Sequence, residues 1–136
     1  MTLATTSRVN KGEKTEWFNV LSQELQTTAD RTSGAFSHPT ARGLFLKTVI
    51  ANEAGAFSAT LNLQTVDEDG NWFTIYTSAA ITANGTVLTY IGADSATNSL
   101  WTIVNFPLPR TWRVFLDYGA TPASDKADTK VSAAYI

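Results

Sequence analysis

The chain is predicted to be all-β: an antiparallel β-sandwich, jelly-roll-like or Ig-like, with an extended N-terminal arm. Three observations predict this. Apolar and polar residues alternate at period two in several separate runs, the mark of strands with one dry and one wet face. Turn residues recur at intervals of roughly 8–12 residues, which gives about seven to nine short strands. The composition is also right: of 136 residues, 43% are hydrophobic and only 16% charged, with Thr, Ser, Ala and Asn filling the difference. A polar but weakly charged surface suits flat protein contacts better than a solvated helical bundle.

Met1 to Glu16 is polar, with Lys11, Glu13, Lys14 and Glu16 close together. It lacks an apolar face of its own and reads, with Trp17 and Phe18, as an arm over residues 1–18; residues 19–136 form the sandwich. Trp17, Val20, Leu21 and Leu25 have helical spacing, but Phe18, Val20, Ser22 and Glu24 also fit period two. A strand from about Val20 to Ala29 is preferred, because the segments beyond Gly43 are plainly β. Gly43 to Ala51 is a short apolar run, expected as a central, mostly buried strand. Phe57, Ala59, Leu61 and Leu63 alternate with polar residues up to Gln64. Asp67 to Asn71 then supplies a turn, and Trp72 to Thr77 is rich in aromatic and β-branched side chains. Together these segments predict an antiparallel hairpin.

A second hairpin is expected at Asn84-Gly85, a pair suited to the positive φ of a tight turn, between Ala79–Thr82 and Thr86–Ile91. Gly92 to Ser99 reads as a loop and Leu100 to Phe106 as a strand, stopped by Pro107 and Pro109, which lack backbone donors. Trp112, Val114, Leu116 and Tyr118 then share one face, opposite Arg113 and Asp117. Gly119 to Asp128 reads as a loop before a closing strand, Lys130 to Ile136.

Ten basic and twelve acidic residues give a net charge of -2. The basic residues are scattered, so no face can displace counterions from phosphates, and nucleic acid is not an expected partner. No cysteine is present, which excludes disulfides, thiolate zinc sites and cysteine nucleophiles. This fits folding in a cytoplasm. The first ten residues lack the apolar core of a Sec signal, and no apolar run approaches the roughly 20 residues that span a bilayer. A soluble protein without membrane contact is expected.

Candidate chemistry is sparse. His38, the only histidine, lies in Ser37-His38-Pro39 with no nucleophile elbow or second histidine, and reads as an exposed loop residue. Asp67, Glu68 and Asp69 superficially resemble a calcium loop, but the spacing of an EF-hand is missing; they read instead as a solvated hairpin tip. Trp72 and Trp112 fall in phase with alternating strands and read as core, whereas Trp17 and Trp101 are freer. Trp17 and Phe18 either anchor a neighbouring protein or fold back onto their own sheet. Lys11 to Thr15 lacks the upstream glycine of a phosphate loop. No catalytic residue, metal, cofactor or small-molecule substrate is expected, and the chain does not read as an enzyme.

Leu108-Pro109-Arg110-Thr111-Trp112-Arg113-Val114, preceded in order by Asp69-Gly70-Asn71-Trp72 and by Ser78 to Thr86, resembles the small capsid decoration, or cement, proteins of tailed phages. The resemblance covers roughly Val20 to Ile136 and leaves Met1 to Phe18 outside. It implies a jelly-roll-like sandwich on the outside of the major capsid protein shell, stabilising the head of the virion as a homo-oligomer, a trimer being favoured. Arg110 and Arg113 could then meet capsid carboxylates, though solvated turn residues would look the same. With Trp17 and Phe18 they are the candidate partner contacts. Two rival readings remain: a carbohydrate- or receptor-binding head-fibre module using Trp101, and a tail or connector protein.

Overall fold

The computed structural model describes residues 16–26, 30–92, 102–119 and 124–136. The described residues form ten strands: β1 (Phe18–Gln26), β2 (Arg31–Thr32), β3 (Phe36–Ser37), β4 (Gly43–Ala54), β5 (Ala59–Val66), β6 (Trp72–Thr77), β7 (Gly85–Gly92), β8 (Thr102–Val104), β9 (Thr111–Tyr118) and β10 (Lys126–Tyr135). They build two sheets. The first has the order β1-β10-β4-β7-β8; the second has β2-β9-β5-β6, with β3 also paired to β9. No helix is present among these residues, so the helical spacing around Trp17 is overridden and β1 pairs antiparallel with β10.

The dry faces of the two sheets meet in one core. Leu44, Leu46 and Ile50 from β4 and Val131 and Ala133 from β10 pack towards Leu61 and Leu63 of β5 and Trp112, Val114 and Leu116 of β9. The alternation expected over Thr111–Tyr118 is realised residue by residue: Trp112, Val114, Leu116 and Tyr118 are buried, and the residues between them are not. Aligned burial of this kind is what makes a two-sheet slab. The strand expected over Leu100–Phe106 is shorter: β8 ends at Val104, before Pro107 is reached.

The β5–β6 hairpin is as expected. Asp67 closes it: its backbone N–H donates to Asn71 O, and its Oδ1 accepts from the N–H groups of Asp69 and Asn71, all at 2.9 Å. Gly70 takes the positive φ of 85° that this turn needs.

Other expectations are corrected. The Asn84-Gly85 hairpin does not form. Ile81 bridges Ala59 of β5 in the second sheet, whereas β7 pairs with β4 in the first, so Ser78–Asn84 carries the chain from one sheet to the other. Gly85 still adopts a positive φ, but Asn84 spends its Oδ1 on the N–H of Glu53 at 2.9 Å. The closing strand begins at Lys126, four residues early, and β4 runs on to Ala54. Strands β2 and β3, two residues each, were not expected. Pairing is not wholly antiparallel: β8 runs parallel to β7. Residues 1–15 of the arm, residues 27–29 of the expected first strand, residues 93–99 of the loop after Gly92, and Leu100 and Trp101 lie outside the described residues, as do residues 120–123 of the expected 119–128 loop.

Three hydroxyls sit inside the slab. Thr48, Thr129 and Tyr118 are at most 4% exposed, and their oxygens complete no hydrogen bond of good geometry among the described residues. Burial pushes the Tyr118 phenol above its ordinary pKa, which the nearby Thr129 hydroxyl only partly offsets. A buried hydroxyl without a partner carries its desolvation penalty uncompensated. Thr48→Val, which keeps the shape and removes the oxygen, is therefore expected to raise stability by about 1 kcal/mol. Thr129→Val should gain less, because Tyr118 loses its polar neighbour. Urea denaturation measures both; a destabilised Thr48→Val would show that its hydroxyl is satisfied.

Candidate contact surfaces

Trp17 and Phe18 are adjacent in sequence and diverge in space. Phe18, the first residue of β1, turns inward: its ring lies 5.5 Å from Phe36, 6.5 Å from Trp112 and 5.2 Å from Tyr135. Phe18 thus folds back onto its own sandwich. Trp17 turns outward and remains 41% exposed.

Trp17 joins a patch on the outer face of the first sheet. In β4, Leu44, Leu46, Thr48 and Ile50 are buried, and the alternate residues Phe45, Lys47 and Val49 face away from the core. Register places Tyr90 opposite Phe45 and Leu88 opposite Lys47. The rings of Trp17 and Phe45 are 6.3 Å apart, and those of Phe45 and Tyr90 5.2 Å. Lys47 Nζ stands 5.2 Å over the Trp17 ring, within cation–π reach. Two glycines, paired across β4 and β7, make room for this arrangement. A Cβ at Gly43 would meet the Tyr90 hydroxyl at 2.8 Å, and one at Gly92 would meet it at 2.5 Å. The result is an aromatic strip that runs from Trp17, just before the edge strand β1, through Phe45 to Tyr90 in the middle of the sheet, with one ammonium over its Trp17 end.

The arginines lie elsewhere. Arg113 is on the outer face of the second sheet, the opposite side of the slab from Trp17. Its guanidinium stacks 4.3 Å from the Trp72 ring, and its Nε donates to Gln64 Oε1 at 2.8 Å. Trp72 is therefore half-buried under Arg113 and not a core residue, which corrects the in-phase reading. The reason is a bulge: Leu63 pairs with Tyr76 but Gln64 with Thr74, so the extra residue Ile75 reverses the phase of β6. Trp112 does fill the core, wholly buried.

Arg110 is exposed at one end of the slab, where its carbonyl accepts the N–H of His38 at 3.0 Å. His38 is not the exposed loop residue expected; it is half-buried, with its ring 4.3 Å from that of Tyr135. Burial raises the Tyr135 pKa, and the indole N–H of Trp112, donating to its hydroxyl at 3.2 Å, works the other way. The four candidate contacts thus fall at four places: outer face of one sheet, interior, one end, and outer face of the other. They do not form a single surface. Phe45, Lys47 and Tyr90, which complete the Trp17 patch, were missed in sequence. The signal that could have found them was Lys47, two residues from Phe45 and therefore on its face, which marks that face as not core.

Asp67, Glu68 and Asp69 gather at the β5–β6 tip with ligand atoms within 4.8 Å of one another, but the Asp67 carboxylate is already held by backbone N–H groups. An open groove of about 380 Å³ runs beside the crossover, lined by Tyr76, Ser78–Val87 and Thr102, with no charged side chain. Neither place brings a nucleophile and a base together. No protein-family model and no curated protein matches this chain.

Proposed function

We propose that the chain is a non-catalytic structural protein of a tailed-phage virion, a decoration protein that docks on the outside of the major capsid protein shell. The docking face is the Trp17–Phe45–Tyr90 strip of the first sheet. The single observation that carries this reading is that strip: aromatic side chains with a cation over the Trp17 end, on the outer face of a sheet whose other face is core. Aromatic residues dominate interface energetics because they bury large area at small entropic cost. Strands β4 and β7, inside the sheet, hold Phe45 and Tyr90 in fixed geometry, so little ordering of those two rings remains to oppose binding. The Leu108–Val114 resemblance supplies the kind of partner. It also places Arg110 and Arg113 in the family pattern; with Arg113 engaged by Trp72 and Gln64, the contact role passes to Trp17 and its neighbours.

Co-sedimentation with purified heads tests the proposal. The wild-type chain is expected to travel with the heads. Trp17→Ala should reduce occupancy roughly tenfold or more, the loss of a hot-spot aromatic, with little change in melting temperature. Wild-type protein left in the supernatant would refute the capsid reading. Normal occupancy of Trp17→Ala would instead move the contact to another face.

A further inference from the structure

We infer that β6 is a pairing edge for a second copy of this chain, giving a two-fold dimer in which sheet β2-β9-β5-β6 continues across the axis. Each sheet ends in two edge strands, and three of the four edges are blunted. On the first sheet, β1 carries Glu24 and two register shifts, and β8 has three residues. On the second, β2 and β3 have two residues each, and β2 begins with Arg31. Strand β6, Trp72-Phe73-Thr74-Ile75-Tyr76-Thr77, keeps a single protection, the bulge at Ile75; it has no charge, proline or glycine, and Trp72-Phe73-Thr74 before the bulge is a regular stretch of high β-propensity.

Its only strand partner among the described residues is β5. Starting from the Asp67–Asn71 hydrogen bond, the alternation of an antiparallel ladder turns the N–H and C=O of Trp72 and Thr74 away from β5. Those groups form a ready row for a further strand. Phe73, on the same edge, is 48% exposed, the highest among the large hydrophobic residues described.

The occupant that fits best is the same strand from another copy. An antiparallel pair of identical strands is self-complementary, and with no charged residue on β6 it places no like charges opposite each other. Pairing of this kind also closes. The other edge of the same sheet is only two residues deep, so a dimer through β6 leaves no further edge to propagate and does not grow into a filament.

Light-scattering mass across a concentration series tests this without any capsid, so its outcome is separate from that of the docking proposal. The wild-type chain is expected at twice 14.7 kDa. Trp72 pairing with Thr74 across the axis sets Phe73 of one copy against Phe73 of the other, so Phe73→Lys, at an exposed position, should weaken self-association about tenfold or more by setting two ammonium groups face to face. Ser22→Lys, exposed on the β1 edge, should leave the dimer intact. Amide exchange on the wild-type protein gives a reading independent of variant folding: the Trp72 and Thr74 N–H groups should be protected in the dimer and lose that protection on dilution. A wild-type monomer or trimer, a folded Phe73→Lys that still dimerises, or unprotected Trp72 and Thr74 amides in a dimer would each overturn the inference.

Discussion

Trp112→Ala is expected to cost about 3–5 kcal/mol of folding stability, enough to leave the sandwich largely unfolded if its total lies at the low end of roughly 5–15 kcal/mol. Trp112 is wholly buried on the inner face of β9. Its ring stacks 4.8 Å from Phe36 and meets Tyr135 edge-on at 6.2 Å, with Phe18 closing the cluster. The strands it touches come from both sheets: β1 and β10 on one side, β3 and β9 on the other. Removing the indole therefore opens a cavity between the layers, where no single backbone shift can fill it. Trp112→Phe separates volume from polarity. It keeps most of the packing, loses the N–H donated to Tyr135, and should cost only about 1–2 kcal/mol. Because that donor favours the phenolate, the Tyr135 pKa should rise further in Trp112→Phe. Urea unfolding and phenolate absorbance measure these effects. A loss below about 1 kcal/mol for Trp112→Ala would mean that the layers are not clamped here.

The ease with which Trp112 was placed, and the failure to place Trp72, have one cause. Period two reads out a face only while the ladder is regular. Thr111–Tyr118 pairs with β5 without interruption, so its alternation carries through to burial. In β6 the extra residue Ile75 exchanges the two faces, and nothing in Trp72-Phe73-Thr74-Ile75-Tyr76-Thr77 announces a bulge. Asn84-Gly85 failed differently. Local turn chemistry was present, but which sheet each flank joins depends on long-range pairing with Ala59 and with β4. The early start of β10 was hidden because its inner-face residues there, Ala127 and Thr129, are small or hydroxylated and do not look apolar. Sheet membership also decided the candidate surface. Trp17 and Arg113 could be named from sequence, but their placement on opposite faces depends on β4 and β9 lying in different sheets.

The corner between β4 and β5 should respond to substitution as sharply as the core. Gly55 has φ of +72°, and a Cβ there would collide with the Asp125 carboxylate and approach Ser124 O at 2.9 Å. Asp125 is itself buried, and its Oδ1 accepts the N–H of Ala56 at 2.8 Å. The same corner is fastened by Asn52, whose amide donates to Asp128 Oδ2 at 2.6 Å, and by Asn84 on the N–H of Glu53. Gly55→Ala combines left-handed strain with displacement of Asp125 and is expected to cost roughly 3 kcal/mol. Asp125→Ala should cost about 1–2 kcal/mol, for the one hydrogen bond it removes. The double variant distinguishes a collision from simple backbone strain. With the carboxylate gone, the new methyl meets one obstacle fewer, so the combined loss should fall short of the sum by about 1 kcal/mol. Urea denaturation of the four proteins closes the cycle. Strictly additive losses would show that Gly55 is required by its φ alone, and that Asp125 holds the corner without crowding it.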